Sequence, residues 1–152
     1  MNLGSLATAN DHSGGVSYRT ASNTTYLQRK EQRVEGVVRQ LSAATVETIR
    51  HLDLGKVTPQ RLRDVASDLY WDGQISREAA SMLFSLGHDQ PEDVEFDALE
   101  VLRSASEFEL HRPADKYRPE NLRLYRECQD LASGLRIATD FLRQGHSLSA
   151  VA

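Results

Sequence analysis

The chain has 152 residues, a net charge of −4 and a pI near 5.7, which predicts one domain and offers no overall basic charge to hold it on nucleic acid. Apolar residues at 39% and charged residues at 26% suit a soluble globular protein, and no run approaches the roughly 18–20 consecutive apolar residues of a membrane span. Cys128 is the single cysteine, which excludes an internal disulfide and favours a reducing compartment.

Residues 1–25, MNLGSLATANDHSGGVSYRTASNTT, are rich in Ser, Thr, Asn, Gly and Ala and show no helical or alternating apolar pattern. Too little apolar surface is available to offset the entropy of ordering them, so the composition predicts a disordered N-terminal arm. The start lacks a basic n-region and a continuous apolar stretch, so it does not read as a cleaved secretory signal. Fifteen arginines against three lysines suggest a GC-rich bacterial genome, and a bacterial cytoplasm is the expected location. The same polar, uncleaved composition fits a second expectation, an export signal on a secreted bacterial effector or secretion-associated protein.

A helical domain is expected over 26–145, with a short tail at 146–152. Leu27, Val34, Val38, Leu41, Thr45, Ile49 and Leu52 recur at helical spacing and predict one long helix over 26–54. Gly36 lies inside it, where a close helix crossing is the expected reason for a glycine.

A phrase of glycine, polar residue, β-branched apolar residue and hydroxyl then occurs twice, as Gly55-Lys56-Val57-Thr58 and Gly73-Gln74-Ile75-Ser76. It reads as a helix stop followed at once by a helix start. The glycine turns the chain in the left-handed region, the Val or Ile packs back as a staple, and Thr58 or Ser76 caps the next helix. Pro59 suits a first turn and Glu78 the positive end of its helix. Two short helices follow, from Pro59 to about Trp71 and from about Arg77 to Leu86 before Gly87.

Asp89-Gln90-Pro91-Glu92 carries the acids and proline of a helix start, placing a fourth helix ahead of Val94, Ala98, Val101, Leu102 and Ala105 and ending it near His111-Arg112-Pro113. The fifth is predicted over 119–144 with Leu122, Tyr125, Cys128, Leu131, Ala132, Leu135, Ala138, Phe141 and Leu142 on one side, stopped by Gly145. Leu124 and Ile137 fall off that stripe and imply a wide buried face or a second apolar strip. The fold expected is an all-α, single-domain bundle of about five helices.

Laid on the twelve-residue calcium loop of an EF-hand, Asp68–Ala79 has acids at positions 1 and 5, glycine at 6 and isoleucine at 8. Tyr70 at position 3 and Ala79 at position 12 replace the oxygen ligands such a site requires. In the same register the loop around Gly55 presents Arg50, Leu52, Leu54 and Arg61. Both read as capped turns, and no metal or other cofactor is expected.

A DNA-reading helix-turn-helix is disfavoured, because the second short helix carries Arg77 as its only base before Met82. The five histidines form no zinc spacing, there is no phosphate loop or Gly-x-Ser-x-Gly elbow, and Cys128 sits on an apolar stripe as a buried thiol. Catalysis is not expected.

What remains are contact features. Tyr70-Trp71 ends a helix at a turn, and the chain spends its only tryptophan there. Acids cluster at Glu92, Asp93, Glu95 and Asp97, whereas bases gather at Arg112, Lys116, Arg118, Arg123 and Arg126. Such a dipolar surface can steer a partner or pair two copies head to tail. The expectation is therefore a non-catalytic protein–protein interaction module (an adapter, regulator or chaperone-like component) whose partner is another protein or a second copy. A nucleic-acid-binding regulator ranks third.

Overall fold

The computed structural model describes residues 2–11 and 20–145, and within them the chain is all-α. Seven helices follow in order: α1 (Leu3–Asp11), α2 (Thr20–Val38), α3 (Ala43–Arg50), α4 (Pro59–Trp71), α5 (Arg77–Ser85), α6 (Ala98–His111) and α7 (Arg118–Arg143). Helix α7 is the axis, and α1, α2, α3, α5 and α6 all pack against it, while α4 packs on α3 and α5.

Both copies of the repeated phrase cap the helices expected of them. Thr58 Oγ1 accepts from Arg61 N–H at 3.2 Å and Ser76 Oγ from Ala79 N–H at 3.1 Å. Pro59 and Glu78 lie in the first turns of α4 and α5. Val57 and Ile75 are buried, as staple residues should be.

The two glycines differ. Gly73 has φ +69°, the left-handed turn expected, whereas Gly55 keeps negative φ. At Gly55 the chain turns on a side chain instead, its N–H donating to Asp53 Oδ1 at 2.9 Å.

The long helix expected over 26–54 is two helices, α2 and α3. The break at 39–42 is the work of Ser42, whose Oγ accepts from Thr45 N–H at 3.2 Å while its own N–H donates to Asp72 Oδ2 at 2.8 Å. A capping side chain and a carboxylate from a distant turn thus outcompete the next turn of helix. Leu27, placed on the buried stripe, is exposed, and Gly36 faces open space rather than a helix crossing. The close approaches occur at Gly134, against the backbone of Leu3, and at Gly87, where a Cβ would lie 2.8 Å from Pro59 Cβ.

The fourth helix begins at Ala98 rather than near Pro91. Val57 and Phe96 form an isolated antiparallel bridge, with Val57 N–H donating to Phe96 O at 3.0 Å and Phe96 N–H to Val57 O at 2.9 Å. Extended backbone at Phe96 excludes helix there, and Asp97 then caps α6 by accepting from Glu100 N–H at 2.9 Å. Val94, expected on the apolar stripe, is exposed in this loop. The bridge thus joins the loop between α3 and α4 to the loop between α5 and α6.

The last helix begins one residue earlier than predicted and stops at Gly145, with φ +74°. Its buried face is wide: Leu131, Gly134, Leu135, Ala138, Thr139, Phe141 and Leu142 are all covered, and Ile137 packs against the core. Of the arm expected over 1–25, residues 1 and 12–19 lie outside the described residues, as does the 146–152 tail. The described parts, Leu3–Asp11 and the segment from Thr20, are helical.

Candidate functional site

The turn between α4 and α5 is bonded to three other parts of the fold. Asp72 receives the Ser42 N–H that ends α2 and starts α3, Gln74 Oε1 accepts from Leu3 N–H of α1 at 3.1 Å, and Ser76 N–H donates to Glu127 Oε1 of α7 at 3.0 Å. Burial acts to raise the Asp72 pKa, but hydrogen bonds from Thr45 and Ser42 outweigh it and hold the carboxyl below its ordinary value.

On this locked turn stand Tyr70 and Trp71. Their rings meet edge to face, with centroids 5.5 Å apart. Trp71 is 80% exposed and Tyr70 39%, whereas Leu69 directly before them is fully buried. The helix period explains the contrast: Leu62, Val65, Ala66 and Leu69 face the core, and the two aromatics fall past the end of that stripe.

The acidic set is spread over separate partners. Glu92 pairs with Arg63 at 2.8 Å, Glu95 with Lys56 at 3.5 Å, and Asp97 is the α6 cap; Asp93 is exposed. The Val57–Phe96 bridge brings a second stretch into the calcium-loop register. With Val57 at position 8 of its loop, its bridge partner Phe96 takes position 8 of Asp89–Glu100, which puts Asp89, Asp93 and Glu100 at positions 1, 5 and 12. Position 3 is Pro91 and position 6 is Val94, where a calcium loop needs an oxygen donor and a glycine. Glu100 is turned to Arg103 at 2.5 Å. Among the described residues no three Asp, Glu, His or Cys side chains converge on one point.

The basic set gathers around the α6–α7 connection, where most of its members are engaged. Arg112 pairs with Glu109 at 2.5 Å and Asp115 at 2.7 Å, and Asn121 Nδ2 also donates to Glu109 at 3.2 Å. Arg112 holds both carboxyls below their ordinary pKa values, against the smaller opposing effect of burial. Lys116 lies over the Tyr117 ring at 4.9 Å, Arg118 donates to the Leu110 carbonyl, and Arg123 reaches Glu120 at 3.9 Å. Arg126 lines a hollow with Gln74 and Asp130. The acidic loop pairs with the 56–63 segment and the basic connection mainly with its own neighbours, and no ion pair among the described residues joins the two sets.

Two features escaped the sequence. Phe108, Leu110 and Tyr117 stand exposed at the α6–α7 connection; their signal is that none belongs to the apolar stripe of either helix. A groove of about 530 Å3 runs between the 52–54 segment, α6 and α7, floored by Leu52, Leu102 and Leu135, with Arg136 and Asp140 among its polar lining. No contact residue expected from sequence lines it. Cys128 is fully buried, its Sγ 3.8 Å from the Ala79 carbonyl, and burial, with Glu127 adding to it, pushes the thiol up to about 12. It is a packing residue, far from the thiolate form a nucleophile needs.

No protein-family model, curated protein or solved structure matches the chain. The described helices include none long and apolar enough to cross a membrane.

Proposed function

We propose that the chain is a non-catalytic protein–protein interaction module, an adapter or regulator, that receives its partner on the Tyr70–Trp71 edge. The observation that carries this reading is the 80% exposure of Trp71 on a turn bonded to three other parts of the fold. A tryptophan left in water forgoes the large burial energy its ring offers, and aromatic anchors of this kind dominate protein interfaces. The turn is already ordered, so little conformational entropy remains to be lost when a partner seats on it.

The test is a tagged pull-down from native extract with Trp71→Ala as the control. A stoichiometric protein partner is expected with the native chain and lost with the variant, whose circular dichroism and melting temperature stay unchanged because the ring packs on little of the fold. Recovery of the same partner by the variant, or of no stoichiometric protein at all, overturns the reading.

A further inference from the structure

Helix α4 packs on α3 and α5, and the side it turns to solvent has a composition of its own. Gln60, Asp64, Ser67, Asp68 and Trp71 fall on one strip at helical spacing, opposite the buried Leu62, Val65, Ala66 and Leu69. Gln60, Asp64 and Trp71 are exposed, and Ser67 and Asp68 are half-buried. The strip thus holds two carboxylates and an indole, and no base.

The arginines on its flanks are spent elsewhere. Arg61 donates to the Thr48 carbonyl at 2.8 Å, and Arg63 pairs with Glu92 of the acidic loop at 2.8 Å. What reaches Asp68 is the Thr48 hydroxyl, a neutral donor, at 3.0 Å. Among the described residues no ion pair involves Asp64 or Asp68. In a chain of net charge −4, this face therefore stays negative beside an open indole ring, and the face of a tryptophan ring is itself attractive to a cation.

We propose that the outward face of α4 takes a cationic helix from its partner, with one guanidinium over the Trp71 ring and a second paired with Asp64. The inference rests on the Tyr70–Trp71 edge being a contact site and names the chemistry of what seats there. Asp64 and Trp71 are two helical turns apart, about 10 Å along the axis. A helix lying alongside repeats that interval between residues seven apart, so two arginines at that spacing meet both groups. Arginine suits the pair better than lysine, since its planar fork stacks on a ring and bonds a carboxylate through two donors. Nucleic acid and acidic segments are repelled by the same two carboxylates.

The test titrates the purified full chain into a dye-labelled, alanine-based helical peptide carrying two arginines seven residues apart. The same peptide with glutamates in their place is the control, and anisotropy is the readout. Saturable one-to-one binding of the arginine peptide is expected, with a change in the emission of Trp71, the only tryptophan, and no binding of the glutamate peptide. Affinity should fall as salt is raised. Asp64→Lys and Trp71→Ala should each weaken binding roughly tenfold or more with unchanged melts. Asp140→Lys, the same charge change at an exposed position of α7, should leave it nearly unaltered. No binding of the arginine peptide, equal binding of the glutamate peptide, indifference to Trp71→Ala, or an Asp140→Lys variant as weak as Asp64→Lys overturns the inference. A protein captured from native extract through Trp71 is independent of the peptide result, so failure of the partner chemistry and failure of the contact edge are told apart.

Discussion

A single hydroxyl decides where one helix ends and another begins. Ser42 accepts from the Thr45 amide, and its own amide is taken by Asp72, so the residue belongs at once to α3 and to the turn that presents Trp71. Ser42→Ala removes the cap but keeps the amide bond to Asp72. The expected loss is about 1 kcal/mol, read as a lower urea midpoint at unchanged slope. A loss far below this would mean that the α2–α3 break is held by Asp72 alone. Thr58 and Ser76 make the same bond and could be recognised from sequence, because glycine, staple and proline or acid surround them. Ser42 carries no such flanking punctuation, and its decisive partner lies thirty residues away.

Among the elements, the α6–α7 hairpin differs from the rest in resting on charge. Glu109 is nearly covered and Arg112 about four-fifths covered, whereas the Arg103 pairs with Glu100 and Glu107 are half in water. Solvent screens exposed pairs, and removing one partner of a covered pair strands the other. Arg112→Met should therefore lower the melting temperature at neutral pH clearly more than Arg103→Met. The pH dependence follows from the lowered pKa of Glu109, whose ordinary value is near 4.5. Between the lowered folded-state value and that ordinary one the folded state binds fewer protons than the unfolded state, so the stabilisation is complete at neutral pH and fades as pH falls through the folded-state value. The gap between wild type and Arg112→Met should accordingly begin to narrow as pH falls below about 4.5 in thermal melts. A gap that stays constant however far the pH is lowered would mean that Arg112 acts by packing its stem rather than by its charge.

For the molecule as a whole, α7 is the post on which α1, α2, α3, α5 and α6 are hung. Ile49 is fully buried on α3, and the carbonyl of the same residue accepts from Thr139 Oγ1 of α7 at 2.9 Å. Ile49→Ala opens a cavity on that axis and should cost about 2–5 kcal/mol. It should do so in a single cooperative transition seen alike by far-UV signal and Trp71 fluorescence. Two separated transitions would mean that the α3–α4 pair and α7 fold independently.

The all-α class, the starts of α4 and α5, the left-handed stop at Gly73, the end at Gly145 and the burial of Cys128 were legible in the amino-acid order. Each depends on residues within one or two turns of one another, where periodicity and capping act. The exposed aromatic pair was legible as a pair but not as exposed, because a helix end permits either outcome. The α2–α3 break, the delay of α6 to Ala98 and the seating of α1 were decided only by tertiary structure. In each case a backbone group of one segment takes its partner from a distant one: Ser42 from Asp72, Phe96 from Val57, Leu3 from Gln74 beside Gly134. Local pattern records the propensity of a segment, but the long-range bond that overrides it exists only once both segments are folded together.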